Sequence, residues 1–465
     1  MSFFSKEKII ASENFNRWLA VPAALGVHLS IGQVYAFSVF KLPLTKVLGI
    51  TQSIEGDWTQ GDIGWVFSIA ILCLGLTAAF AGKWASNKGE RITMLLSALF
   101  FGGGFLVSAL GIHFHQLWLM YIGYGVLGGI GLGLGYVAPV TMLMRWFPDR
   151  PGMATGLAIM GFGGGALVAS PLSVGLMKFF SAETTNGVFE AFVAMGVIYT
   201  IVIMLASVIV KVPKEGWLPK AMKIDEEAEL KAKQKVEFAK ASSISSSDAM
   251  KRPAFYTLWW VLFLNVTAGI GLIYQASPMV QELFTDKVTV ELAAWFVGLL
   301  SIGNMVGRFF WSTLSDKLGR PVTFGIFFLL GGALYASLNL VGVNNYMMFM
   351  AACVVIISMY GGSFATMPVY LKDIFGMKDL GIIYGRTLTA WSAAGVVGPK
   401  MFDIIRKSQL ESGASMIEAY QAIIYIICGL MTAGFILNIF AARAIKKDDE
   451  EALGVASEVA PESVA

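Results

Sequence analysis

Apolar residues in this chain come in long unbroken runs, not in strand-like alternation. A run of about 20 apolar residues crosses a bilayer as a helix. Such runs fall near 17–40, 61–82, 92–112, 116–144, 152–179, 187–210, 254–280, 292–313, 321–342, 346–369, 381–403 and 419–443. The pattern predicts an all-α membrane protein with twelve transmembrane helices in two six-helix halves, 17–210 and 253–444. A polar segment at 211–252 joins them, and residues 1–16 and 445–465 lie outside the spans. The first run is too long for a signal-peptide core and precedes no small-residue cleavage site, so it is expected to stay in the membrane. Within the linker, 223–240 reads as a polar helix or a solvated connection. The acidic tail from Asp448 reads as disordered.

The two halves repeat each other. An offset of 230 superposes Trp65 on Trp295, Phe80 on Phe310 and Gly89 on Gly319. Offsets of 228–229 superpose Pro139 on Pro368, Phe147 on Phe375, Gly156 on Gly385 and Pro171 on Pro399. Parallel six-span repeats place a substrate site near the midplane between halves, and rocking of the halves gives alternating access.

Composition sharpens this picture. The 465 residues are 56% hydrophobic and 14% charged, against about 25% charged in soluble domains. That excludes a water-soluble enzyme and a disordered chain. The net charge of +3 comes without a basic stripe, so no nucleic-acid partner is expected. With the N-terminus in the cytoplasm, 25 of the 34 Lys and Arg lie on the cytoplasmic side, seven opposite, and Arg308 and Arg386 within spans. This bias puts both termini and the linker in the cytoplasm, and a cell's inner (plasma) membrane is the expected location. The three cysteines sit in apolar runs and form neither a disulfide framework nor a ligand cluster. No metal site, cofactor or catalytic set is expected, and membrane lipid is the surrounding partner. Gly123–Gly128 matches G-x-G-x-x-G, but inside an apolar span with no strand before it, so it is not a dinucleotide site. Gly125, Gly129 and Gly133 instead suit close helix packing.

Arg308 is the sharpest chemical signal. Its repeat counterpart is Ala78, so the fold does not require it, and a cation at bilayer mid-depth costs about 2.5–3.5 kcal/mol on insertion scales. No Asp or Glu lies mid-span in the expected helices. A substrate carboxylate is then the natural partner, gripped through two parallel hydrogen bonds. Ser301, Asn304 and Arg308 share one helical stripe. The plainer alternative is an arginine that reaches the cytoplasmic interface. His28 is the histidine within a span, a candidate for proton coupling or a ring bonded between helices. Asn265, Tyr274 and Gln275 are further lining candidates. Arg386 sits a turn from the cytoplasmic end, placed to snorkel or to gate the inner mouth.

The segment WSTLSDKLGRP (311–321) resembles the loop signature of the major facilitator superfamily. Asp316, Lys317 and Arg320 would form its charged cytoplasmic latch, and Ser86 stands where the first half would carry an aspartate. Within that superfamily the chain resembles the oxalate:formate antiporter family and, more distantly, the monocarboxylate transporters. The resembling stretches are GQVYAFSVF (32–40), GLGYVAPVTMLMRWFPDRPGMATGLA (133–158), LNVTAGIGLIYQASPM (264–279), NMVGRFFWSTLSDKLGR (304–320) and TAWSAAGVVGP (389–399). The resemblance implies secondary transport of a small carboxylate such as formate, oxalate, lactate or pyruvate, by proton symport or anion exchange. It also implies a box around the carboxylate built by Gln33, Tyr35, Tyr136, Tyr360 and Phe364. Asn304 stands where monocarboxylate transporters often carry aspartate. Trp391 stands where the oxalate carriers put a lysine, which favours one negative charge on the substrate over two. A monomer is expected. Oxalate/formate exchange and a non-transporting carboxylate sensor are the alternatives.

Overall fold

The computed structural model describes the chain except residues 1–5, 13, 149–150, 215–216, 218, 220–243, 341–344, 377–378 and 459–465. Twelve long helical segments account for most of the described residues. In chain order they are α1 (17–44), α2 (Gln60–Lys88), α3 (Glu90–His113), α4 (Leu117–Trp146), α5 (Pro151–Phe180) and α6 (Val188–Ile209), then α7 (Pro253–Leu283), α8 (Val290–Leu318), α9 (Arg320–Leu340), α10 (Tyr346–Phe375), α11 (380–411) and α12 (Met416–Glu458). Eleven are long and apolar enough to cross a membrane among the described residues. The remaining one, α11, carries Lys400, Asp403, Arg406 and Lys407. These charges dilute its hydropathy, although it packs among the others.

The helices stay regular where residues permit and bend where they do not. α1 tightens into 3₁₀ turns over Gly32–Ala36. α4 widens into π turns over Tyr121–Gly128, the stretch holding the G-x-G-x-x-G match, which is therefore membrane helix. Pro139, Pro171, Pro278, Pro368 and Pro399 all fall inside helices, where a missing N–H loosens the ladder. Gly89 and Gly319, paired by the 230 offset, turn the chain from α2 to α3 and from α8 to α9. Their φ values are 94° and 85°, a region that penalises a Cβ, so the repeat persists in the backbone. Gly125, Gly129 and Gly133 bring α4 against α2. A Cβ on Gly129 would stand 2.7 Å from the Ala70 carbonyl oxygen, and one on Gly133 would stand 2.7 Å from that of Leu74.

The halves meet along α5 with α8, α2 with α11, and α1 with α7. Large apolar side chains such as Phe80, Phe179, Phe309 and Tyr425 stay exposed on the outer surface, as a lipid-facing belt requires. Both ends of the 211–252 segment are tied down. Ala11 N–H donates to Val212 O and Val212 N–H to Ile9 O, each at 2.9 Å. Further on, Ile244 N–H donates to Phe375 O at 3.0 Å, and Ser246 N–H donates to Asp379 at 2.7 Å. The N-terminal stretch and the linker thus share one face. The polar helix expected over 223–240 lies outside the described residues.

Two expectations need correcting. The eleventh span runs to Glu411, eight residues beyond the expected end, because Lys400, Asp403 and Arg406 find partners between the halves instead of ending the helix. The last helix continues to Glu458, into the stretch expected to be disordered. This stretch, DDEEALGVASE, extends an already nucleated helix, and adding residues to a formed helix costs far less than starting one.

Candidate functional site

Six helices converge on Arg308. It lies on α8, 2% exposed, and its Nε donates to Asn304 Oδ1 at 3.1 Å one turn earlier. Its Nη1 has no hydrogen-bond partner, and no carboxylate pairs with it among the described residues. Its guanidinium carbon stands 5.5 Å from the centre of the Phe364 ring on α10, a favourable cation–π position. From the facing half, α5 approaches through Gly163. The Gly163 carbonyl accepts from Ser301 Oγ at 2.6 Å, and a Cβ there would stand 3.0 Å from Arg308 Nε and 3.2 Å from Asn304 Oδ1. Glycine lets α5 close over the guanidinium without strain, since an added methyl would have to push these side-chain ends aside by a few tenths of an ångström. Gly361 on α10 does the same behind Asn304, whose carbonyl oxygen would be 2.3 Å from an added Cβ.

Aromatic rings wall the group. Tyr35 on α1 and Tyr360 on α10 join hydroxyls at 3.1 Å across the halves. Phe364 meets Trp391 on α11 edge-on at 4.8 Å between centres, and Tyr136 on α4 and Phe162 on α5 complete the wall against Trp391. Burial of such rings excludes water and strengthens whatever electrostatic contact forms inside. Besides Arg308 Nη1, the Tyr136 hydroxyl and Trp391 Nε1 are buried with no hydrogen-bond partner. None of the three has a partner at full hydrogen-bond length, although the Tyr136 hydroxyl faces Arg308 and Tyr384 and Trp391 faces the Tyr360 hydroxyl, so an acceptor among them is favoured. A cavity of about 10 Å³ lies against Tyr35, Ser301, Asn304, Ile273 and Ala276.

The remaining expected residues fall elsewhere. Gln33 is buried within the first half, its Oε1 accepting from Tyr124 at 3.0 Å, and does not join the box around Arg308. The 3₁₀ turns of α1 rotate it toward α4. His28 lies beside the box, its ring stacked on Tyr136 at 5.8 Å. Each ring nitrogen faces a backbone carbonyl, Nδ1 that of Ala158 and Nε2 that of Tyr136 at 3.2 Å. A neutral ring satisfies one of these acceptors and a protonated ring both. Arg386 points away from the chamber, its Nη1 2.9 Å from Met250 Sδ at the end of the linker. Asp316 and Arg320 pair at 2.5 Å, and Arg320 Nε reaches Asp373 on α10 at 3.3 Å. These ion pairs tie α8 to α10 inside the second half, with Lys317 exposed beside them. Asn265 lines a separate small cavity near Tyr335 and Tyr360. Sequence reasoning missed Gly163 and Phe162, and also a charge cluster in which Tyr274, Gln275 and Lys41 participate.

Comparison with known proteins agrees with this architecture. The chain is 26% identical over 375 residues to an uncharacterized MFS-type transporter, YhjX, of Escherichia coli, covering 79% of this chain and 83% of the relative. It is 24% identical to the oxalate:formate antiporter of Oxalobacter formigenes, covering 82% and 83%. It is 23% identical to apicoplast pyruvate carrier 1 of Toxoplasma gondii, covering 81% of each. Among solved structures, an inward-facing bacterial homolog of the human lysosomal transporter Spinster superposes with a TM-score of 0.67 at 16% identity, covering 94% of this chain and 99% of that one. The fold and the relatives are those of membrane transporters, not of enzymes. The model of the Major Facilitator Superfamily matches residues 23–399, and the chain belongs to that superfamily.

Proposed function

We propose that the protein moves a small monocarboxylate across a cell's plasma membrane, with both termini in the cytoplasm. The observation that carries this reading is the guanidinium of Arg308, buried between the halves with Nη1 unpaired and no protein carboxylate beside it among the described residues. A carboxylate accepting from Arg308, and from the Tyr136 hydroxyl and Trp391 Nε1, gives all three donors a full-length partner at once. Binding also neutralises the buried cation. The loaded carrier therefore rocks more easily than the empty one, because a ligand shifts a conformational equilibrium by its differential affinity for the two states. One cation at this level, with Trp391 in place of a second, balances one negative charge. Relatives named for oxalate and formate and for pyruvate support the substrate class. In anion exchange the empty, charged carrier crosses poorly. In proton symport His28 is the group placed to take the proton.

Counterflow in proteoliposomes tests this reading, using formate, acetate, lactate, pyruvate, oxalate and malonate with and without a pH gradient. Exchange of a monocarboxylate in preference to the dianions is expected. A pH gradient that drives uptake selects symport, and indifference to it selects exchange. Absence of flux for all six acids contradicts the assignment.

A further inference from the structure

At the face opposite the termini, the halves close over a second buried charge cluster. Lys41 on α1 is 0% exposed. Its Nζ donates to Gln275 Oε1 at 2.5 Å, stands 3.5 Å from the centre of the Tyr274 ring and lies 3.7 Å from Asp403 Oδ1. Lys400 on α11 reaches the other way. Its Nζ donates to the Gly61 carbonyl on α2 at 2.9 Å, stands 4.1 Å from the centre of the Trp65 ring and lies 3.6 Å from Asp403 Oδ2. Beside them Arg406 grips Glu282 through two hydrogen bonds of 2.7 and 3.1 Å. Glu282 also accepts from Tyr420 at 2.6 Å and from Gln60 of the first half at 2.9 Å.

Arg406 and Glu282 satisfy each other, and the two lysines, one from each half, share the carboxylate of Asp403 between them, with the exposed Asp62 carboxylate facing Lys400 from the rim. Neither lysine reaches Asp403 at hydrogen-bond length. The donor that does is the Tyr274 hydroxyl, 2.8 Å from each oxygen. The cluster adjoins the central chamber, because Ile273 and Ala276 flank Tyr274 and Gln275 and line the cavity beside Asn304.

We propose that Lys41 and Lys400 form a second carboxylate site at the mouth of the transport path. In the closed protein Asp403 occupies it and latches the halves. An incoming carboxylate takes the place of Asp403 between the two ammonium groups, which parts the halves and opens the way to Arg308. The inference rests on the monocarboxylate reading for its ligand, while the latch stands on the contacts alone.

Two readouts test it. The first needs no substrate: Ala276→Cys is introduced after Cys73, Cys353 and Cys428 are changed to alanine, and its reaction with a membrane-impermeant maleimide is timed. Asp403→Asn is expected to speed labelling about tenfold by releasing both lysines. Tyr274→Phe, which removes only the hydroxyl donor, serves as the milder variant and is expected to speed labelling less. Unchanged labelling in both overturns the latch. The second readout is pyruvate uptake into vesicles of known orientation. Lys41→Gln and Lys400→Gln are each expected to raise the half-saturating concentration from this face about tenfold, with the maximal rate changed far less. An unchanged half-saturation in both overturns the carboxylate site. A wild-type protein that moves no carboxylate overturns the substrate reading and this site together, while labelling that still responds to Asp403→Asn keeps the latch.

Discussion

Two buried cation sites lie one above the other between the halves, and they are built differently. At the mouth, Lys41, Lys400 and Arg406 meet Asp403 and Glu282, and the protein supplies the negative charge. In the centre, Arg308 meets an amide and aromatic rings, and its Nη1 has no hydrogen-bond partner. Burying an ion without a partner costs several kcal/mol, so on the proposed reading the cargo carboxylate supplies at Arg308 the negative charge that Asp403 and Glu282 supply at the mouth. The contrast also separates two tasks. On the proposed reading, a charge pair supplied by the protein holds the halves together, whereas a partner that must arrive makes closure depend on cargo.

The largest expected effect removes the bare cation. Arg308→Ala is expected to lower carboxylate counterflow at least about 100-fold, since a bidentate charged contact is worth several kcal/mol in a dry site. Arg386→Ala, at the linker contact, is expected to retain most activity, and equal loss in both variants would erase the distinction between them. Next, Trp391→Lys gives the centre a second cation and is expected to raise oxalate over formate exchange about tenfold, one favourable charge pair. A competition assay reads this, and an unchanged ratio shows that this level does not count charges. Third, Gly163→Ala puts a methyl 3.0 Å from Arg308 Nε and is expected to slow exchange several-fold by holding α5 off α8. The smallest effect lies outside the membrane, in the loop before α2. Asp57 loses some ionisation to partial burial, but N–H donors from Leu48, Ile54 and Gly49 outweigh that and hold its carboxyl below the usual carboxylate range. A lowered folded-state value stabilises the loop above the ordinary Asp range near about 4. That contribution fades as pH falls through the lowered value. Hydrogen exchange in 45–59 is expected to quicken in Asp57→Asn at pH 7 and in the parent only in acid.

The centre was more legible in the sequence than the mouth, for physical reasons. Arg308 stands out because a charge inside an apolar run is costly wherever it points, and Asn304 follows from helical spacing. Tyr35, Tyr136, Tyr360, Phe364 and Trp391 came through family resemblance, and the structure draws them to one chamber. Gln33 came by the same route, but the tightened turns of α1 carry it to Tyr124. Phe162 and Gly163 left no signal, since Phe and Gly are common in any span, and their role depends on which helix they face. The mouth cluster was hidden because Lys41 and Asp403 read as the ends of apolar runs. Their partnership spans hundreds of residues, and no local pattern encodes it. The fold itself was legible from run lengths and offsets, and Gly89 and Gly319 carry the repeat into the backbone.

The most direct test supplies the centre with the acid it lacks. Asn304→Asp places a carboxylate one helical turn from Arg308, and radiolabelled pyruvate binding to the purified wild type and variant then compares the two states. A partnered Arg308 is expected to bind the anion about tenfold or more weakly. Equal or tighter binding by Asn304→Asp contradicts the claim that Arg308 is left bare for the cargo.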